Sequence, residues 1–103
     1  MNYLAHGPEL IKPITQIHPR FHMPFLAFLL NDGYLIDPQK TSRKKMVVHL
    51  EHPSTNRERI VIEKGNIPNE AAKKRYLLFL KMYAKHGKGF IEKLRAQIKI
   101  KNV

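Results

Sequence analysis

The sequence predicts an α+β fold, in which a small antiparallel sheet of two to three strands carries helices on one face and follows a Pro-rich N-terminal arm. Two alternating segments, KKMVVHLEH and RERIVIEK, predict a hairpin, because turn-forming residues separate them. Two further segments have apolar residues at helical spacing and predict helices. At 103 residues with 43% hydrophobic composition, the chain is expected to form one domain around a modest core.

The N-terminal segment, residues 1–24, is predicted to form an arm or cap, since four prolines interrupt regular structure there. Its expected contact residues are Leu10, Ile11, Ile14 and Ile17. The core is predicted over residues 25–86. It opens with a short buried helix in MPFLAFLLNDG, which has Pro24 in its first turn and Gly33 as its cap. The segment GYLID then predicts a short first strand.

The hairpin register follows from charge and polarity. With a three-residue loop at residues 54–56, Leu50 faces Ile60 and Glu51 faces Arg59. A shift by one residue would set Glu51 against Glu58, and like charges directly opposite one another are unfavourable. The preferred register predicts a core-facing apolar side formed by Met46, Val48, Leu50, Ile60 and Ile62. The other side then carries Lys45, His49, Glu51, Arg59 and Glu63.

A longer helix is predicted from about residue 69 to 86, because Asn66 or Asn69 can cap its start and Gly87 can end it. At about 100° per residue, its expected apolar face consists of Ala72, Tyr76, Phe79, Leu80, Tyr83 and Ala84. The opposite side carries Lys74, Lys81 and Lys85. Leu78 and Met82 border these lysines and are expected to contact another element or a partner.

Residues 89–103 predict a last, basic helix with Phe90, Ile91, Leu94 and Ile98 on one side. A short final strand in IKIKNV is the alternative, because that tail alternates. The arm, the core and this helix together are expected to form the single domain of residues 1–103.

Charge is the dominant feature of the composition, with 19 Lys and Arg against 8 Asp and Glu and a net charge of +11. The excess is uneven: residues 1–38 hold two basic and three acidic residues, whereas residues 69–103 hold ten and two. This asymmetry predicts a cationic surface directed at an anionic partner. Nucleic acid is the commonest such partner, followed by an anionic membrane surface or an acidic protein.

The chain contains no cysteine, which excludes disulfides and thiolate metal sites. No segment resembles a signal peptide, and the longest apolar run, PFLAFLL, is too short to span a bilayer. We therefore expect an intracellular, cytoplasmic protein without a transmembrane segment.

The predicted nucleic-acid contacts come from three segments, which are expected to converge on one surface. The basic loop consists of Lys40, Arg43, Lys44 and Lys45. It lies between strands, where its side chains and the hydroxyls of Thr41 and Ser42 can hold phosphates. The hairpin arginines, Arg57 and Arg59, and the helix lysines, Lys74, Lys81 and Lys85, complete the set. Taken alone, the loop has a simpler interpretation as a solvated turn.

Aromatic side chains do not predict a base-stacking platform. Tyr76, Phe79 and Tyr83 fall on the apolar face of the predicted helix, which favours core packing over stacking. Tyr34 is less constrained by the pattern. A protein that contacts the nucleic-acid backbone therefore fits the sequence better.

Histidines offer one catalytic candidate and no metal site. His18 and His22 have the i, i+4 spacing of metal ligands, but no third ligand stands at a recognisable distance, so no metal or cofactor is predicted. His49 lies beside Glu51 and Arg59 on the polar side of the hairpin and could serve acid–base cleavage of RNA. The simpler interpretation is a strand histidine next to a cross-strand ion pair.

The sequence therefore predicts a small basic nucleic-acid-binding protein that contacts the phosphate backbone of RNA or a duplex, alone or within a ribonucleoprotein. One alternative is a protein-interaction module, such as a phage- or plasmid-type inhibitor or an assembly subunit, whose cations meet an acidic partner surface. Leu78 and Met82, beside the lysines, favour this alternative because interface cores are apolar. A toxin-like ribonuclease is the other. The absence of a Gly-rich phosphate loop, a nucleophile elbow or paired carboxylates favours a role without catalysis.

The order of elements over residues 25–83 resembles the helix–three strands–helix core of small HicA-type RNA-cleaving toxins. The resemblance rests on LLNDGYLIDPQKTSRKKMVVHLEHP followed by RERIVIEK and a helix. It implies a fold similar to that of double-stranded-RNA-binding domains. In that family a Gly-Ser-His-like turn supplies the catalytic histidine. Thr41, Ser42 and Arg43 stand there in this chain, so the resemblance does not support cleavage.

Overall fold

The structure is a computed structural model that describes residues 15–54 and 57–101, with side chains up to residue 97. Its elements are α1 (Pro19–Asn31), β1 (Leu35–Ile36), β2 (Val47–Glu51), β3 (Arg59–Glu63), α2 (Glu70–His86) and α3 (Lys88–Lys101). The three strands form one antiparallel sheet in the order β1-β2-β3. This architecture confirms the predicted α+β class, and the helix–three strands–helix order is the one that the resemblance implies.

Helix α1 begins earlier than the sequence predicts. Pro19 occupies its first turn, and the Nδ1 atom of His18 accepts a hydrogen bond of 3.3 Å from the backbone N–H of Arg20. Pro24 lies inside the helix, where it removes only one backbone hydrogen bond. The prediction that prolines exclude a helix over residues 19–24 is therefore wrong, because the burial of Phe25 and Leu29 outweighs the missing hydrogen bond. Of the predicted arm contacts, Ile17 is buried, and Leu10, Ile11 and Ile14 lie outside the described residues.

The hairpin has the predicted register. Leu50 pairs with Ile60 and Glu51 with Arg59, and the Arg59 Nε atom lies 3.4 Å from the Glu51 carboxylate. Met46 is the exception to the predicted apolar side, because it is 55% exposed and has a φ of +53°. It belongs to the turn at residues 43–46, and the strand starts one residue later.

The core is organised around Phe79 of α2, whose side chain is fully buried. Its ring lies 5.6–6.0 Å, between centroids, from five other rings. These rings belong to Phe21, Phe25, Phe28, Tyr76 and Phe90. Phe79 therefore joins all three helices, while Leu50, Ile60 and Ile62 close the same cluster from the sheet.

Helix α2 follows the prediction closely at both ends. The Asn69 side chain accepts a hydrogen bond of 2.8 Å from the backbone N–H of Ala72, and Gly87 ends the helix with a φ of +67°. Met82 packs against the core, as expected of a residue that meets another element, whereas Leu78 remains 43% exposed. Ala84, at the edge of the predicted apolar face, is exposed.

Helix α3 continues to Lys101, so the alternative of a short final strand is wrong. Phe90 and Leu94 are buried, and Ile91 packs beside them as predicted. The side chain of Ile98 lies outside the described residues.

Candidate nucleic-acid interface

The nine predicted cationic contacts are all exposed. Arg59 is the only one of them that forms an ion pair with another described residue, through Glu51. Among the residues with described side chains, Asp32, Glu51, Glu58 and Glu70 are held in ion pairs with Arg59, Lys73 or Arg75. Eight of the nine candidates therefore carry charge that no described carboxylate neutralises at contact distance.

The basic loop sits at the end of the sheet where β2 begins and β3 ends. Ser42 and Val47 exchange backbone hydrogen bonds of 2.8 and 2.9 Å, and these close the turn that presents residues 43–45. At the same end, the backbone N–H of Lys64 donates to the Met46 carbonyl over 2.8 Å. Lys64 therefore joins Arg43, Lys44 and Lys45 in one group, although the sequence analysis did not select it. The hairpin register was sufficient to find it, because that register places Lys64 opposite Met46.

Hydrogen bonds to nearby side chains fix the backbone of the basic loop around Lys40. The Asp37 carboxylate accepts backbone hydrogen bonds from Gln39 and Lys40, over 2.9 and 3.3 Å. The Thr41 hydroxyl accepts a bond of 3.0 Å from the backbone N–H of His49, and Ser42 accepts one of 3.3 Å from that of Lys45. Both hydroxyls that were expected to hold phosphates therefore accept a backbone hydrogen bond within the loop.

A sheet-face pocket brings together three of the predicted residues. Lys40, His49 and Arg59 line a cavity of about 200 Å³ on the side of the sheet that carries Glu51, opposite the helices. Asp37 and Glu51 also line it, so its two cations face two carboxylates. The His49 ring makes no hydrogen bond to a described residue. The pocket is therefore close to neutral and would attract an anion only modestly.

The hairpin arginines lie at the other end of β2 and β3 from residues 43–45. Two contacts fix this end against α2: Arg75 Nε lies 3.5 Å from the Glu58 carboxylate, and the Asn69 amide donates to the Arg59 carbonyl over 2.9 Å. Because Arg57 precedes Glu58 and Lys74 precedes Arg75, the structure brings the segments of Arg57 and Lys74 together.

The helix lysines occupy the side of α2 that points away from the sheet. Tyr76 and Phe79 are buried beneath the helix, and at about 100° per residue the three lysines fall on the opposite side. Helix α2 and the sheet therefore lie between these lysines and the polar side of the sheet, which carries Lys40 and Arg59. The structure does not place the nine residues on the single face that the sequence analysis expected.

A polar network that sequence reasoning missed supports the hairpin end. The Tyr34 hydroxyl donates to the Glu58 carboxylate, and Arg75 Nη1 donates to Asp32 over 3.0 Å. The Arg75 guanidinium also lies 5.5 Å from the centroid of the Tyr34 ring. Tyr34 is fully buried, so it cannot stack on a base, contrary to the freedom that the sequence suggested. The network joins the end of α1, the hairpin and α2.

The pKa values in this network are shifted by burial and hydrogen bonding. Burial raises the pKa of Tyr34 from 10.0 to about 12, and the hydrogen bond to Glu58 acts in the same direction. The same hydrogen bond lowers the pKa of the Glu58 carboxyl, with the nearby Arg75 charge contributing further. The phenol of Tyr34 therefore stays protonated, as a donor to Glu58, well above neutral pH.

Alkaline pH is expected to destabilise the fold through Tyr34. Between pH 10 and about 12 the folded protein retains the phenolic proton that the unfolded chain releases, so the free energy of unfolding falls as the pH rises through this range. Urea unfolding of the parent and of Tyr34→Phe across this range measures the effect. The variant should lose less stability with pH, because lysines titrate equally in both proteins. Parallel profiles would show that Tyr34 does not contribute.

The described residues contain no group of three or more His, Asp or Glu side chains that could hold a metal ion. The His18 ring caps α1 by accepting the backbone hydrogen bond from Arg20. Within the same part of the chain, every helix is too short or too polar to cross a membrane.

Comparison of the chain with protein-family models, curated proteins and solved structures gave no match.

Proposed function

We propose that the protein binds nucleic acid, RNA or a duplex, through the phosphate backbone, alone or within a ribonucleoprotein. The observation that supports this most strongly is the state of the nine candidate cations: all are exposed, and eight have no ion-pair partner among the described residues. Clustered cations of this kind release condensed counterions when they neutralise phosphates, which provides a sequence-independent binding energy.

Two cation groups would make the main contacts. The sheet-end group consists of Arg43, Lys44, Lys45 and Lys64. The helix lysines form the second group, from Lys74 to Lys85 along α2. At a rise of about 1.5 Å per residue they span roughly 16 Å, which equals the axial length of about five phosphates along one strand of a B-form duplex. Because the two groups lie on different elements, the end of the sheet and the outer side of α2, the nucleic acid would follow the edge of the domain or contact the groups with separate segments.

Burial of the aromatic residues favours backbone contacts over base stacking. Tyr34 and Phe79 are fully buried and Tyr76 is 3% exposed, so these three rings are closed to a base, and Tyr83 is the one of the four candidates that is partly exposed. With three of the four candidate rings closed in the described part of the chain, most of the affinity is expected to come from phosphates and the discrimination from the shape of the ligand.

Purification without nuclease tests the proposal directly. Nucleic acid should co-purify with the protein, raise the ratio of absorbance at 260 and 280 nm, and be removed by high salt or by nuclease.

A second candidate function is a protein-interaction module, which is favoured by two exposed apolar side chains on α2. Leu77 is 44% exposed and Leu78 is 43% exposed. Co-purification of a protein that withstands nuclease, with no bound nucleic acid, would support that candidate and contradict the proposal.

A third candidate function is cleavage of RNA, which is motivated by the His49 ring in the sheet-face pocket beside Lys40 and Arg59. If the protein only binds, labelled RNA should remain intact with the parent and with His49→Ala alike. Cleavage by the parent that disappears in His49→Ala would instead identify the pocket as catalytic.

A further inference from the structure

A cationic cavity lies on the helical side of the domain, away from the cations that were predicted from the sequence. The helix-end groove is a cavity of about 250 Å³ between the first turn of α1, the end of α2 and the first turns of α3. The residues that line it include Arg20, Phe21, Tyr83, Lys88, Glu92 and Arg95.

Charge in this groove is strongly unbalanced. Arg20, Lys88 and Arg95 approach it from different positions on α1 and α3, all three are exposed, and none pairs with a described carboxylate. Glu92 is the one acid that lines it. The lining therefore carries a formal charge of about +2, whereas the sheet-face pocket is close to neutral. An anion with two charges would balance it.

The groove also has an apolar part that is already ordered. The rings of Phe21 and Tyr83 contact each other edge to face at 4.9 Å between centroids. The Arg20 guanidinium lies 4.8 Å from the centroid of the Phe21 ring, which holds this cation near the groove. A ligand with an anionic end and an attached organic group matches this pairing of cations and rings.

Size limits how much of a ligand the groove can enclose. Pockets that bury a whole drug-sized ligand typically measure about 300–1,000 Å³, and this one is smaller, at about 250 Å³. It is therefore suited to one end of a ligand. A phosphate monoester carries about −1.5 to −2 charges at pH 7, whereas each phosphate within a nucleic-acid backbone carries one, so the monoester matches the lining charge better.

We infer that the helix-end groove binds a phosphate monoester, with the three cations around the phosphate and Phe21 and Tyr83 against the attached group. The monoester could be the phosphorylated end of a nucleic-acid strand or a free mononucleotide. The first source rests on the proposed function, and the second does not.

The experiment compares a short fluorescent oligonucleotide that carries a 5′-phosphate with the same oligonucleotide carrying a 5′-hydroxyl. The phosphorylated form should bind roughly tenfold more tightly, the gain expected of one good charge-assisted contact. Arg20→Gln and Arg95→Gln should each reduce this difference and leave binding of the hydroxyl form largely unchanged. Lys93→Gln, an exposed cation of α3 that does not line the groove, is the matched control and should keep the full difference.

A parallel titration with a nucleoside 5′-monophosphate and with the unphosphorylated nucleoside separates the sources and needs no oligonucleotide binding. Preference for the monophosphate that Arg95→Gln removes would support the groove even if the protein did not bind nucleic acid. Equal affinity for the two oligonucleotides, together with equal response to the two small probes, would overturn the inference and leave the proposed function standing. Circular dichroism of each variant confirms that the fold is intact.

Discussion

Replacing Arg43, Lys44 and Lys45 together by serine is expected to flatten the salt dependence of nucleic-acid binding. Each neutralised phosphate contributes a slope of about −0.7 to −0.9 to a plot of log K against log salt concentration, so the triple variant should lose up to roughly two to three slope units. Affinity at low salt should fall with it. The residues lie in an exposed turn at the end of the sheet, and their side chains make no ion pairs with described residues, so the fold should be preserved.

Fluorescence anisotropy with a short RNA duplex over a series of salt concentrations measures these slopes. The matched control replaces Arg43 by lysine and Lys44 and Lys45 by arginine, which keeps the charge and changes the shape of the side chains. If binding is Coulombic, the control should keep the parent slope. A serine variant with an unchanged slope would remove the basic loop from the interface.

Replacing Phe79 by alanine is expected to lower the free energy of unfolding by about 3–5 kcal/mol. The side chain is fully buried and contacts rings from all three helices, so its removal leaves a cavity at the point where those helices meet. Since domains of this size are stable by only about 5–15 kcal/mol, the loss would take a large share of the total. Urea denaturation followed by circular dichroism gives the value.

Leu77→Ala provides the control on the same helix, because Leu77 is 44% exposed and its truncation removes little buried area. Its cost should lie within roughly 0.5–1 kcal/mol. Similar costs for Leu77→Ala and Phe79→Ala would mean that the packing around Phe79 does not hold the helices together.

Those features of the fold that depend on residues close along the chain could be predicted from the sequence. The register of the hairpin follows from like-charge repulsion and period-two alternation, and the structure shows the predicted pairs, including Glu51 with Arg59. The ends of α2 follow from an Asn cap and a glycine in the left-handed region. In each case the competing arrangements differ in interactions between residues that are close along the chain.

Features that depend on burial, or on contacts between residues far apart along the chain, could not be predicted from the sequence. Pro24 looked like the start of a helix, but burial of neighbouring residues sustains the helix on both sides of it. The contact between Arg75 and Asp32 joins residues 43 positions apart, and the hydrogen bond between Tyr34 and Glu58 joins residues 24 apart. Neither hydrophobic periodicity nor residue propensity predicts such pairs, because they depend on how the helices pack against the sheet.

The candidate interface likewise has one feature that nearby residues determine and others that depend on tertiary packing. The exposure of the helix lysines could be predicted, because helical geometry places Lys74, Lys81 and Lys85 opposite the apolar face. The position of these lysines relative to the basic loop could not be predicted, because it depends on which side of the sheet the helix covers. The helix-end groove was missed because Arg20 and Arg95 are separated by most of the chain and meet only after α1 packs against α3.

Equilibrium binding of the parent protein to one RNA duplex across a salt series tests the central claim most directly. If the exposed cations bind backbone phosphates, log K should fall linearly with log salt concentration, with a slope of about −0.7 to −0.9 for each phosphate contacted and several phosphates in total. A slope near zero, or no binding at the lowest salt concentration, would contradict the proposed function.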